Sequence, residues 1–158
     1  MRNEHGLDAR QIDAAQAAWE FILQPEEGEQ DNSMEPSKLS GLVVELDISQ
    51  AHEHNTTTVF LEGKGVVRLG ANAYPSSNGD VSANGRMSLL ACLCHEYSHA
   101  QRYHLGFRRA LDGSGMLLDE AETSIHASHM PFLNFRDRQD LVDDAAERLI
   151  CWKKEFAI

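Results

Sequence analysis

Apolar residues along this chain recur at two different spacings, and the places where the spacing changes divide it into elements. Leu7, Ile12, Trp19, Ile22 and Leu23 fall on one face of a helix. Asp8, with Gln11 three residues on, has the form of a capping box, so this helix should open at Asp8 and run to about Leu23. From Gln24 to Ser40 apolar residues thin out. Pro25, Gly28, Pro36 and a run of Glu, Gln, Asp and Asn predict an acidic, solvated loop over 24–40. The stretch Gly41 to Ile48 then reads as a strand, and Thr56–Leu61 pairs with Val66–Leu69 across the Gly63-Lys64-Gly65 turn.

Helical spacing returns with Leu89, Leu90, Leu93, Tyr97 and Ala100, on a stretch from Met87 that contains neither Gly nor Pro. Ser82 or Asn84 would cap this helix and Gly106 would stop it. Gly113 and Gly115 suggest a turn into a further helix over 117–127, with Leu117, Leu118, Ala121, Ile125 and Ser128 facing inward. After Pro131, Asn134 caps a last helix through Phe156. Its Leu141, Val142, Ala145, Leu149, Cys151 or Trp152, and Phe156 should pack on the core in a structural role. The sum is an α+β domain in which a short antiparallel or mixed sheet packs against three to four helices, with the helix around residue 95 central.

The chain has 158 residues, which suits a single domain over 1–158 and leaves no room for a separate substrate-recognition module. Its net charge of −11 argues against nucleic acid or an anionic membrane as a direct partner. Arg102, Arg108 and Arg109 cluster after the central helix and are expected to pair with neighbouring carboxylates. No apolar run approaches membrane-spanning length, and the opening Met1-Arg2-Asn3-Glu4-His5 lacks the apolar stretch of a secretion signal, so a cytoplasmic protein is expected. Three cysteines fit a reducing compartment. Cys92 and Cys94 point about 200° apart on a helix and cannot clamp one ion together, so they read as small buried residues. His52-Glu53-His54 lies between strands and reads as a solvated loop.

The central helix carries His95-Glu96-Tyr97-Ser98-His99, an HExxH motif. Histidines four apart stand about 6 Å from one another along the axis on one face, so both imidazoles can reach a single metal ion. Glu96 sits at the edge of that face, where it can take a proton from water rather than bind the metal. This is the donor pattern of a zinc peptidase holding one Zn2+ per chain. A long metzincin motif would need Gly at 102 and His at 105, and the chain has Arg102 and Leu105. The third ligand should therefore be a carboxylate from the following helix. Glu120 falls near the edge of its buried face; Glu122, four residues before His126, is the rival. Candidates to steady an oxyanion are Tyr74, Tyr97, His126 and His129, with Tyr97 pointing away from the histidines. Ser124 and Thr123 are the nearest groups to orient the imidazoles.

Together with HExxH, the stretch Glu120-Ala121-Glu122-Thr123-Ser124-Ile125-His126-Ala127-Ser128-His129-Met130-Pro131 resembles the ImmA/IrrE-type metallopeptidases, whose second helix reads roughly E-A-N-x-F-A-A-x-L-L-M-P. The resemblance spans about residues 87–131, with Glu120, Ala121, Met130 and Pro131 in register. It departs at Glu122, Ser124 and Ser128-His129, and at Tyr97-Ser98 inside the motif. The resemblance implies that Glu120 is the glutamate ligand and that a sheet edge aligns an extended peptide beside the metal. It further implies that the substrate is a regulatory protein such as a repressor, cut in a stress or mobile-element and defence setting, with a partner encoded in the same operon. The competing expectation is a non-enzymatic metal-binding or regulatory protein that docks a basic partner through its acidic surface.

Overall fold

The computed structural model describes residues 4–24, 42–110 and 112–156, so nearly all of the expected acidic loop lies outside the described residues. Among these residues the elements are five helices, where three to four were expected, a single 3-10 turn and a small three-stranded mixed sheet. Helix α1, Ala9–Leu23, opens as expected. Asp8 accepts from the Gln11 amide at 2.9 Å while the Gln11 side chain accepts from the Asp8 amide at 3.0 Å. It buries Ala15, Trp19 and Ile22. The Trp19 ring meets Tyr97 edge-on at 5.7 Å, and its indole N–H donates to the Val44 carbonyl at 3.3 Å.

Strands β1 (Glu45–Asp47), β2 (Val59–Leu61) and β3 (Val66–Arg68) lie in the order β1-β3-β2. The expected hairpin forms, with Phe60 opposite Val67 and Gly65 at φ 66 in the turn, whereas β1 joins β3 in parallel. Both longer predicted strands shrink to three residues. Ahead of β2, the threonines bind locally instead of extending the ladder: Thr56 Oγ1 donates to the Glu53 carbonyl at 3.1 Å and Thr58 Oγ1 accepts from the Gly70 amide at 3.0 Å. Gly70 is required at that crossing, because a Cβ there would lie 2.5 Å from the Thr57 carbonyl carbon.

The stretch expected to form one helix from a cap at Ser82 or Asn84 is two helices. Ser82 caps a single turn, α2 (Ala83–Arg86), and Met87 breaks away at ψ 131. Ser88 then caps α3 (Leu89–His104), accepting from the Ala91 amide at 3.1 Å. Asn84 is interior to α2 rather than a cap. Gly106, at φ 99, ends α3 in a Schellman arrangement, with its amide on the Tyr103 carbonyl and the Phe107 amide on the Arg102 carbonyl, both at 3.0 Å.

Helix α4 is Gly113–Ser128, beginning earlier than the spacing predicts. Asp112 caps it by accepting from the Gly115 amide at 2.6 Å, so the two glycines form its first turn rather than a linker. Its inward face is Ala121, Thr123, Ser124, Ala127 and Ser128; Ile125, expected inside, is 40% exposed. Helix α5, Phe135–Phe156, is capped by Asn134 as expected. Leu141 and Ala145 are buried, but Val142, Leu149, Cys151 and Phe156 are exposed. Asp137, Asp140 and Asp144 take the inward positions instead. Asp137 accepts from Ser88 Oγ at 2.6 Å, Asp140 faces Arg86 at 3.5 Å and Asp144 accepts from Ser124 Oγ at 2.6 Å. As expected, α3 is central: it contacts α1, α4, α5, β2 and β3, and its Leu93 is fully buried in the same core cluster as Leu69, Val67 and Leu141. No helix among the described residues is long and apolar enough to cross a membrane.

Candidate metal centre

His95 and His99 lie on successive turns of α3, both buried, with ring centroids 4.8 Å apart. Facing them from α4, Glu120 places Oε2 3.1 Å from His95 Nε2 and Oε1 3.3 Å from His99 Nε2. One donor atom from each of the three lies within 4.8 Å of the others, the only such group of His, Cys, Asp or Glu among the described residues. This trio could hold a metal ion.

The surroundings fit that occupant. The Ser124 hydroxyl donates to Asp144 at 2.6 Å, so its oxygen is left to accept from His95 Nδ1, 2.9 Å away. The Thr123 hydroxyl donates to the Asp119 carbonyl at 2.8 Å and faces His99 Nδ1 at 3.3 Å. Both rings thus carry a proton on Nδ1 and turn Nε2 toward Glu120. His99 Nε2 is buried without a hydrogen bond, its approach to Glu120 being off the line of one. Two imidazole nitrogens and a carboxylate oxygen thus converge, a donor set that could hold a metal ion.

Burial opposes charge on His95, but the Glu120 hydrogen bond and the nearby Glu96 outweigh it and raise its pKa. Burial likewise opposes ionisation of Glu120, and the two imidazoles overcome it, holding its pKa far below the usual carboxylate range.

Glu96 stands outside the trio. Its Oε2 accepts from the Phe60 amide at 2.7 Å, which ties the motif helix to β2, the sheet's edge strand beside it. The side chain lines a cavity of about 180 Å³ shared with His95, Glu120, Asn72, Arg109 and Arg148. Arg148 Nη1 lies 3.4 Å from Glu120 Oε2 and its Nε donates to Asp144 at 2.7 Å. Arg109 Nη2 approaches the other oxygen, Oε1, at 3.7 Å.

Other expected site residues fall elsewhere. Glu122, the rival ligand, is 64% exposed in its side chain and paired with Arg102 at 2.8 Å. Its face of α4 is the one turned from the histidines. His126 contacts Gln101 at 3.1 Å and, with His129, borders a separate groove. Tyr74 donates its hydroxyl to the Gln11 carbonyl at 2.8 Å, and Tyr97 packs on Trp19. None of these four lines the cavity that holds Glu96. Arg102 pairs with Asp119 and Glu122 as expected, whereas Arg108 lies over the Tyr103 ring and donates to main-chain carbonyls. Cys94 is buried, and desolvation raises its thiol pKa; Cys92 lines the cavity. His52, Glu53 and His54 are exposed, as a solvated loop should be.

Asp144 and Arg148 were the residues the sequence concealed, because α5 read as structural. The available signal was Asp137, Asp140, Asp144 and Arg148 recurring at three- and four-residue steps along the stripe that also holds Leu141 and Ala145. Comparison with protein-family models, with curated proteins and with solved structures gives no match.

Proposed function

We propose that this chain is a zinc-dependent endopeptidase of the ImmA/IrrE type, in which His95, His99 and Glu120 hold one zinc ion and Glu96 is the general base. The observation that carries this reading is a separation of roles: three converging donors, with a second buried carboxylate, Glu96, that shares a cavity with His95 and Glu120 but stands outside the trio. A purely structural metal site has no use for that second carboxylate. Zinc bound there supplies Lewis acidity, lowering the pKa of water toward neutrality and polarising a peptide carbonyl.

The chain's own residues do the rest. Glu96, held by the Phe60 amide, takes a proton from the attacking water and delivers it to the leaving nitrogen. Ser124 and Thr123 keep the imidazoles turned for coordination. Arg148, fixed by Asp144, brings positive charge to the cavity, which suits it to steady an oxyanion. The substrate is an extended segment of a regulatory protein such as a repressor, and recognition beyond the cavity comes from the substrate or from an operon-encoded partner.

Purified protein should carry zinc at one ion per chain, and incubation with the products of neighbouring genes should give a discrete cleavage that Glu96→Gln abolishes without loss of zinc. Cleavage of none of them would overturn the substrate assignment. Should the protein carry no stoichiometric zinc, and His95→Ala leave its biological effect unchanged, the non-enzymatic alternative takes its place.

A further inference from the structure

In a chain of net charge −11, two arginines converge on the small cavity that holds the candidate base. They come from separate elements, Arg109 from the segment after α3 and Arg148 from α5, and they approach opposite oxygens of Glu120. Their circumstances differ. Arg148 also holds Asp144 at 2.7 Å, so it stays paired whatever Glu120 does. For the Arg109 side chain, Glu120 at 3.7 Å is the one carboxylate in ion-pair range among the described residues, and its Nε is buried without a hydrogen bond. Its main chain, however, is anchored: the Arg109 amide donates to Glu62 Oε1 at 3.0 Å, just beyond the end of β2.

A divalent cation drawing on Glu120 leaves Arg109 underpaired. With the ion in place, the charges of the metal, Arg109 and Arg148 exceed those of Glu96, Glu120 and Asp144. A guanidinium anchored beside a reacting centre, with donors to spare, is suited to a planar oxyanion that it can grip by two N–H groups.

Resting on the peptidase reading, we propose that the substrate carries a carboxylate next to the scissile bond and that Arg109 is the residue that receives it. The carboxylate comes either from an acidic side chain or from a free C-terminus. In the second case the enzyme trims a chain end rather than cutting within it.

Binding separates these cases without turnover. Zinc-loaded Glu96→Gln protein is titrated with three fluorescent pools of short peptides made of neutral residues: one with a single Glu and an amidated end, one with a free C-terminus and no acidic residue, and one with neither. One carboxylate pool should bind at least tenfold tighter than the neutral pool. Arg109→Gln should erase that preference while keeping one zinc per chain and the neutral pool's affinity, and added salt should shrink the preference. Equal binding of all three pools to the zinc-loaded protein overturns the carboxylate assignment and leaves the peptidase reading standing. Failure to take up zinc at all overturns both.

Discussion

Ser124 Oγ lies 2.9 Å from His95 Nδ1 and donates its own hydrogen bond to Asp144, so a hydroxyl from α4 and a carboxylate from α5 together fix how a histidine of α3 presents its other nitrogen. Three helices meet in that contact. Removing the hydroxyl frees the ring to rotate and leaves the buried His95 Nδ1 without its partner, while Asp144 keeps Arg148, so Ser124→Ala should weaken zinc binding about 10–100-fold, and Asp144→Asn comparably. Chelator competition measures it. Unchanged affinity in both variants would show that the ring is oriented by packing alone.

Glu120 and Glu122 stand on different faces of one helix, and conservative changes at each should differ sharply. Glu120→Gln removes the anionic donor and leaves Arg109 and Arg148 facing a neutral amide, so zinc affinity should fall by more than about 100-fold. Glu122→Gln loosens an exposed pair with Arg102, worth about 0–1 kcal/mol, and should leave zinc binding intact. The same competition assay distinguishes them; equal losses at both positions would reinstate Glu122 as a ligand.

Metal and proton compete for His95, which gives the pH dependence its sign. The pKa of His95 is raised, so its stabilising contact with Glu120 is complete below the ordinary histidine range and is lost as pH rises through the folded value. Glu120 is depressed, so its contribution is present above the ordinary carboxylate range and lost as pH falls far below it. Metal-free protein should therefore gain stability between neutral and mildly acid pH. Zinc needs Nε2 unprotonated, so its stabilising effect should run the other way. Melting curves at pH 8 and pH 5.5 should show a larger zinc-induced rise in Tm at pH 8, and zinc uptake near neutrality should release protons.

What could be read from the sequence was decided by local chemistry. The Asp8 and Gln11 capping box, the Gly63–Gly65 turn, the Gly106 stop and the convergence of His95, His99 and Glu120 each follow from spacing within one or two elements. What stayed hidden depends on partners distant in sequence. Asp137, Asp140 and Asp144 look like a solvated stripe until Ser88, Arg86 and Ser124 are brought against them. One tyrosine proposed for an oxyanion, Tyr74, is drawn away by a carbonyl of α1, sixty-three residues earlier. Ile125 lies outside because the inward side of α4 is taken by the groups that face the histidines, so the helix spends its buried surface on Thr123 and Ser124 rather than on its most apolar residue.

The bond from the Phe60 amide to Glu96 joins the sheet edge to the candidate base, and it separates two uses of one carboxylate. As an acceptor, Glu96 satisfies a buried main-chain N–H; as a base, it needs ionisable oxygen. Glu96→Gln keeps an oxygen for Phe60 and should change stability by less than about 1 kcal/mol, whereas Glu96→Ala leaves the amide unpaired at a cost of about 1–3 kcal/mol. Urea unfolding of the zinc-free variants reads the difference, and activity should be lost in both. If both variants lose stability equally, the charge of Glu96 rather than its hydrogen bond holds β2 against α3.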